Sequence, residues 1–140
     1  MNTYKKSYKG FGIWLLLFIV AFFSTVFIPS KNDNLLTLVT GNIMTVGVAV
    51  LAGIICLNEK IYWYNGIDYE DAAKATPEQR RAYAFKHFKK FGTFAAVYFL
   101  YSVVSYIVNL SMLVNIMVAG FGIVVVAFST INIKLEVKKT

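Results

Sequence analysis

Asp68, Glu70, Asp71, Arg80, Arg81 and His87 share one stretch of chain, the only place where acids, arginines and a histidine crowd together. At a membrane face such a set could act on lipid headgroups, but acid–base work needs groups held in fixed mutual geometry, and nearness in sequence does not supply it. The three acids could hold a divalent cation, yet they lack the glycine-bearing spacing of a calcium loop. Helix capping by Asp68 is the preferred reading, with Glu70 and Asp71 in a first turn where the helix dipole favours acids. His87 is the single histidine and has no cysteine or histidine companion nearby, so it reads as an interfacial histidine rather than a metal ligand. Cys56 is the single cysteine, which excludes an internal disulfide and a Cys-x-x-Cys site. Palmitoylation fits a cysteine beside a membrane, but helix packing is the preferred role. The chain carries no G-x-S-x-G, H-E-x-x-H or phosphate-loop motif. No catalytic, cofactor-binding or metal-binding residue is expected, and the protein reads as a non-enzyme.

The elements around these residues are apolar. The chain has 140 residues, 58% hydrophobic and 15% charged, with a mean hydropathy of +0.61. Soluble domains carry about a quarter charged residues. Here all the charges lie outside 11–28, 35–57 and 94–133. Uncharged apolar runs of ~18 residues or more read as membrane helices, which argues against a soluble enzyme, a nucleic-acid-binding domain or a disordered tail. The first span is 11–28, closed by Pro29. A signal peptide is the alternative, but the run exceeds the h-region length of about 7–15 residues and no A-x-A site follows. The second span is 35–57. The 94–133 stretch is too long for one crossing and divides at the polar cluster from Asn109 to Asn115, giving spans of 94–108 and 112–133 and a hairpin between them. The expected fold is an all-α membrane protein: four transmembrane helices in an antiparallel bundle, with a helical cytoplasmic loop, 58–93, between the second and third.

Orientation follows from the cations. Lysines and arginines number three before the first span, seven in 58–93 and three after the last span, against Lys31 alone on the other side. By the positive-inside rule both termini and the 58–93 loop are cytoplasmic, in a cell membrane. Trp14 and Tyr62-Trp63-Tyr64 fall near that boundary, as aromatic belts do. Lysine outnumbers arginine twelve to two, which hints at an A- and T-rich bacterial genome.

Lipid supplies no hydrophobic drive between helices, so small and polar residues must do the packing. In the second span Asn42, Thr45, Ala49, Gly53 and Cys56 fall within ~80° of arc. In the third, Tyr98, Tyr101, Ser102, Ser105 and Asn109 fall within ~100°, as do Asn115, Ala119, Gly122, Ser129 and Thr130 in the fourth. The first span has a thinner seam of Ala21, Ser24 and Thr25. These seams read as packing surfaces; a path for a polar solute is the functional alternative. No acid or base lies inside a span, and such a group is the usual mark of an intramembrane site. Length and span number are similar to those of the small multidrug-resistance transporters, whose first-span glutamate has no counterpart here.

Thr76-Pro77-Glu78-Gln79 is a helix start, with Thr76 as cap, Pro77 in the first turn and Gln79 completing a capping box. No breaker follows before Gly92, so this helix runs on into the third span. Its first half is basic and aromatic: Arg80, Arg81, Phe85, Lys86, Phe88, Lys89 and Lys90. Such a segment lies against anionic headgroups, or presents a docking surface to a partner. Membrane lipids are the expected partners, together with a second copy or another membrane protein, and nucleic acid is not. The order apolar helix, Tyr64-Asn65-Gly66 turn, cytoplasmic helix, apolar helix over 55–108 resembles that of short multi-pass bacterial membrane proteins of uncharacterised function. Two functions follow from this reading. One is an accessory, regulatory or immunity-type subunit acting by contact. The other is a small oligomeric transporter or channel for a neutral or lipophilic solute.

Overall fold

Pro77 has no amide hydrogen to lose and sits where a helix has no internal partner for one. Thr76 accepts a hydrogen bond from the Gln79 amide at 3.2 Å, and the Gln79 side chain accepts one from the Thr76 amide at 2.8 Å. From this capping box a single uninterrupted helix, α4 (Pro77–Ile107), extends. At 1.5 Å per residue it is about 46 Å long, more than a ~30 Å hydrocarbon core requires. The computed structural model describes residues 4–28, 33–64 and 66–136. It is all helical, with no strand among those residues. The other helices are α1 (Lys9–Ser24), α2 (Asp33–Asn58), α3 (Tyr69–Lys74) and α5 (Met112–Thr130). A 3₁₀ turn, Thr25–Phe27, continues α1, and a second, Ile61–Trp63, follows α2. Pro29, Lys31, Asn65, Lys138 and Lys139, used in the sequence reading, lie outside the described residues.

Four of the helices, counting α1 with its 3₁₀ turn, are long and apolar enough to cross a membrane. They are not equal partners. α2 and α4 share the most extensive contact, and α5 packs on both. Pairings run in opposite directions along the chain. Gly53 meets Phe88 and Gly41 meets Tyr98, while Gly122 meets Phe94 and Asn115 meets Ser105. α4 is therefore antiparallel to both neighbours. α1 packs along α2 through Trp14, whose indole donates to the Gly47 carbonyl at 3.1 Å, and through Phe18, whose ring occupies the space a side chain at 47 would need. No residue of Lys9–Ser24 is buried. The arrangement thus departs from an even four-helix bundle: three helices share the interior, and α1 flanks α2. Its sequence explains why, since Leu15, Leu16, Leu17, Ile19, Val20 and Phe23 give it bulk on most sides and few small positions for close approach.

A buried hydrophobic cluster sits at one end, almost wholly beyond the apolar stretches. Ile55, Ile61, Tyr62, Ala72, Tyr83 and Ala84 form it. This end layer comprises the Ile61–Trp63 turn, α3, the first turns of α4 and residues 4–8. α3 follows Asp68, but the Asp68 side chain makes no capping hydrogen bond.

α2 and α4 end in the same way. Glu59 and Asn109 have φ of 59° and 54°. The next amide in each case reaches back five residues, Lys60 to the Ile55 carbonyl at 3.2 Å and Leu110 to the Ser105 carbonyl at 3.1 Å. This is the Schellman closure, usually made by glycine. Asn tolerates the left-handed region; for Glu it is uncommon and costs free energy.

Candidate functional site

Glu59 is held in that conformation by what its side chain does. One carboxylate oxygen accepts from Arg80 at 2.9 and 3.1 Å, and the other pairs with Arg81 at 2.8 Å. Arg80 is 6% exposed. It also donates to the carbonyls of Ala72 and Ala75, closing α3 onto α4. Its guanidinium lies 4.1 Å from the centre of the Tyr4 ring, which stacks on Tyr69 at 5.7 Å. This corrects the sequence expectation for Arg80. It faces inward and fastens the end layer, rather than reaching lipid or a partner.

Residues 4–8 are strapped across the same layer. The Tyr4 hydroxyl donates to the Glu59 carbonyl at 2.5 Å, and the Tyr69 hydroxyl donates to the Tyr4 carbonyl. Tyr62 accepts from the Ser7 amide at 2.7 Å and donates to the Ser7 carbonyl at 2.8 Å, a carbonyl that Trp63 also approaches at 3.1 Å. Lys60 donates to the Lys5 carbonyl at 2.6 Å. Burial pushes the Tyr4 phenol well above its ordinary pKa, against the opposing pull of Arg80.

His87, read from the sequence as an interfacial histidine, is also buried, at 4% exposure. Its ring stacks on Tyr64 at 4.3 Å and leans on Tyr83 at 4.6 Å. Nδ1 lies 3.1 Å from the Tyr83 carbonyl. A carbonyl can only accept, so Nδ1 carries the hydrogen and Nε2 of the neutral ring is an acceptor. His87 precedes the apolar stretch of α4, which begins at Phe94. Burial holds its pKa below the ordinary value, helped by the Lys90 charge and opposed by the Tyr83 hydrogen bond.

The remaining residues expected to contact lipid or a partner face outward. Arg81, Phe85, Lys86, Phe88 and Lys89 are exposed, and Lys90 is partly covered. Lys86 pairs with Glu136 at 3.1 Å, and Lys90 donates to the Ser129 carbonyl. Phe88 also covers Gly53. The segment does not lie across the bundle end as a separate helix, because it is the start of α4.

Among the seam residues, Thr45, Ala49, Tyr98, Ser102, Ser105, Asn115 and Ala119 are buried. Asn42 donates to Ser102 at 2.8 Å, and Ser105 donates to Asn115 at 2.6 Å. Gly53 and Gly122 are partly covered. Asn109 falls in the turn after α4 rather than on its seam, where it accepts from Asn34 at 2.9 Å. Ser129 is exposed, its hydroxyl turned back to the Val126 carbonyl at 2.7 Å. The hydroxyls of Thr40, Tyr64 and Tyr101 and the side-chain oxygen of Asn42 are buried without a hydrogen-bond partner among the described residues. Among the described residues no group of three His, Cys, Asp or Glu side chains is placed to hold a metal ion.

An open cavity of about 1160 Å³ lies beside the end layer. Tyr64, Ile67 and Lys74 form one wall, Tyr83, His87 and Phe91 of α4 a second, and the stretch from Val124 to Leu135 a third. The chain matches no protein-family model, no curated protein and no solved structure.

Proposed function

We propose that the protein is a bacterial cell-membrane protein whose four apolar helices cross the bilayer as an antiparallel bundle, with both termini and residues 58–93 in the cytoplasm. It works by contact, as an accessory, regulatory or immunity-type subunit, and not by catalysis. The observation that carries this reading is the folded end layer. Glu59, Arg80 and the Tyr4 strap fix α3 and the start of α4, so that Arg81, Phe85, Phe88 and Lys89 stand on a rigid support. Aromatic and arginine side chains held in one place are what recognition surfaces use, because little conformational entropy is then lost on binding. The test is affinity isolation of the tagged full chain from its native membranes in mild detergent. A stoichiometric membrane-protein partner, lost when Arg81, Phe85 and Phe88 are replaced by serine, supports the reading. A clean homo-oligomer with no other protein overturns it.

A second reading is favoured by Thr40, Asn42 and Tyr101, whose unpartnered oxygens lie within or beside the apolar helices. Unsatisfied polar groups are costly there, and water or a polar solute moving between α2 and α4 would satisfy them. A small oligomeric transporter or channel would have this feature. Asn42→Leu should then abolish solute flux in reconstituted vesicles while leaving thermal stability near that of the parent.

A further inference from the structure

The cavity beside the end layer is graded along its length. Lys86 pairs with Glu136, Lys90 meets Ser129 and Phe94 meets Gly122, so α4 and α5 run past each other in register. His87 is therefore level with the residues just after α5, where Lys134 stands. Phe91 is level with Phe128, and Val124 lies deeper. From Val124 to Thr130 is six residues, about 9 Å of helix. The charged and titratable groups, Asp71, Lys74, His87 and Lys134, occupy one end among Ile67, Ile133 and Leu135, and the end at Phe91, Val124 and Phe128 is apolar throughout. At the polar end Lys74 and Lys134 are exposed cations, and Lys74 is paired with the exposed Asp71 at 3.5 Å. His87 lines the cavity while 4% exposed, with Nδ1 engaged at Tyr83 and Nε2 without a protein partner among the described residues. The volume, about 1160 Å³, lies above the roughly 300–1,000 Å³ of small-molecule pockets. Val124, Phe128 and Ile131 are exposed, so the apolar end opens sideways along α5.

We propose that this cavity binds a single anionic membrane lipid whose headgroup carries a free hydroxyl, of the phosphatidylglycerol type. The phosphate sits between Lys74 and Lys134, the hydroxyl donates to Nε2 of His87, and an acyl chain follows Phe91, Val124 and Phe128. Each part matches a chemical need of the site. The excess of cations at the mouth, Lys74 and Lys134 against Asp71, calls for an anion, an acceptor nitrogen of a cavity-lining ring calls for a donor, and an apolar slot open to the side calls for a chain that remains partly in the bilayer. The proposal rests on the membrane reading above but not on its contact role.

The test uses the full chain purified in mild detergent. Three lipids with the same acyl chains are added: phosphatidylglycerol, phosphatidylmethanol, which is anionic without the hydroxyl, and phosphatidylcholine. Native mass spectrometry counts retained lipid, and thermal unfolding measures stabilisation. One phosphatidylglycerol per chain is expected, retained above phosphatidylmethanol, with phosphatidylcholine last. Replacing Lys74 and Lys134 by glutamine should reduce the anionic preference by about fivefold per lysine. His87→Phe should erase the difference between the two anionic lipids and leave both ahead of phosphatidylcholine. Ala127→Trp should fill the slot and lower retention of all three, whereas Val125→Trp, outside the cavity lining, should not. Equal retention of the three lipids by the parent overturns the proposal. So does unchanged retention in Ala127→Trp, or a protein partner that cross-links to position 127 and displaces the lipid. If Ala127→Trp does not fold, the exposed lysines still decide the outcome. Integration is read separately, by resistance to alkaline extraction from membranes. A chain that resists extraction and retains no lipid ends this proposal alone.

Discussion

Glu59 shows how one residue sets the end layer. Its left-handed backbone is costly, and the gain is a carboxylate aimed at two arginines from the end of α2. The two arginines are not equivalent. Arg80 is buried among Glu59, two carbonyls and the Tyr4 ring, while Arg81 is largely exposed. Removing one partner of a buried pair leaves an uncompensated charge, at about 3–5 kcal/mol. Arg80→Met should therefore lower the unfolding free energy in detergent by about 3 kcal/mol. Arg80→Lys should recover little, because an ammonium cannot reach Glu59, Ala72 and Ala75 from one position while stacking on a ring. Arg81→Gln should cost less than about 1 kcal/mol, as an exposed pair does. Denaturant titration of the three variants checks the order. His87 gives a pH dependence of definite sign. Its folded pKa lies below the unfolded value of about 6.5. Above that value the ring is neutral in both states and its packing between Tyr64 and Tyr83 contributes fully. As pH falls through 6.5 toward the folded pKa, the unfolded state binds more protons and stability is lost. The melting temperature should therefore drop between pH 7.5 and 5.5 by more in the parent than in His87→Phe. Both buried positions were legible in principle. Counting back along α4 from Ser105 and Tyr98 in steps of three and four gives Ala95, Phe91, His87, Ala84 and Arg80. The charges at 80 and 86–90 make the segment read as a solvated face and hide that the apolar seam continues beneath it.

At the scale of the element, span positions follow from apolar length alone. The helix starts were also written in the sequence, because Thr76, Pro77 and Gln79 need only each other to form a capping box. Helix ends were harder to read. The expected span of 94–108 ends within one residue of α4, but its packing seam is expected to take in Asn109, and the left-handed turn at that residue follows the end of α4 at Ile107. The faces were read to within about one position. On α2 the buried line runs through Thr37, Gly41, Thr45, Ala49, Ala52 and Ile55, so Gly41 belongs to it and Gly53 sits at its margin. On an ideal helix the two glycines lie ~120° apart, with Gly53 inside the expected arc and Gly41 ~40° outside it, and the neighbour each one meets decides which is packed. At Gly41 the neighbour is the buried Tyr98 and at Gly122 it is Phe94, each lying where a side chain would go. At Gly53 it is the half-exposed Phe88, 3.3 Å from the position of an added Cβ and free to swing outward. Gly41→Leu and Gly122→Leu should thus lower the melting temperature strongly, by separating helices that small residues let approach. Gly53→Leu should do so weakly. Val50→Ala and Val125→Ala, on exposed faces, should leave it nearly unchanged. Equal effects at all three glycines would contradict this arrangement of faces.

At the scale of the molecule, interior packing and cation placement coincide at one end. That end has the buried hydrophobic cluster, and within the described residues it carries Lys5, Lys6, Lys9, Lys60, Lys74, both arginines, Lys86, Lys89, Lys90 and Lys134. The opposite end, with the short turn between α4 and α5, carries none among the described residues. The antiparallel contacts Gly53–Phe88 and Phe94–Gly122 place residue 73 of α3 and residue 110 of the turn at opposite ends of α4. Long loops cross membranes largely regardless of charge, whereas cations in short segments next to a span hold their side. All these cations lie in such segments, so the end layer should stay in the cytoplasm. The check is cysteine accessibility in a Cys56→Ala background, with single cysteines at Ala73 and Leu110, both exposed and outside the buried cluster. An impermeant maleimide applied to intact cells should label position 110 and spare 73 until the membrane is opened. Labelling of 73 alone would reverse the orientation. Labelling of both in intact cells would mean that α4 does not cross the membrane, and the spacing of its apolar half would then need a protein partner in place of lipid.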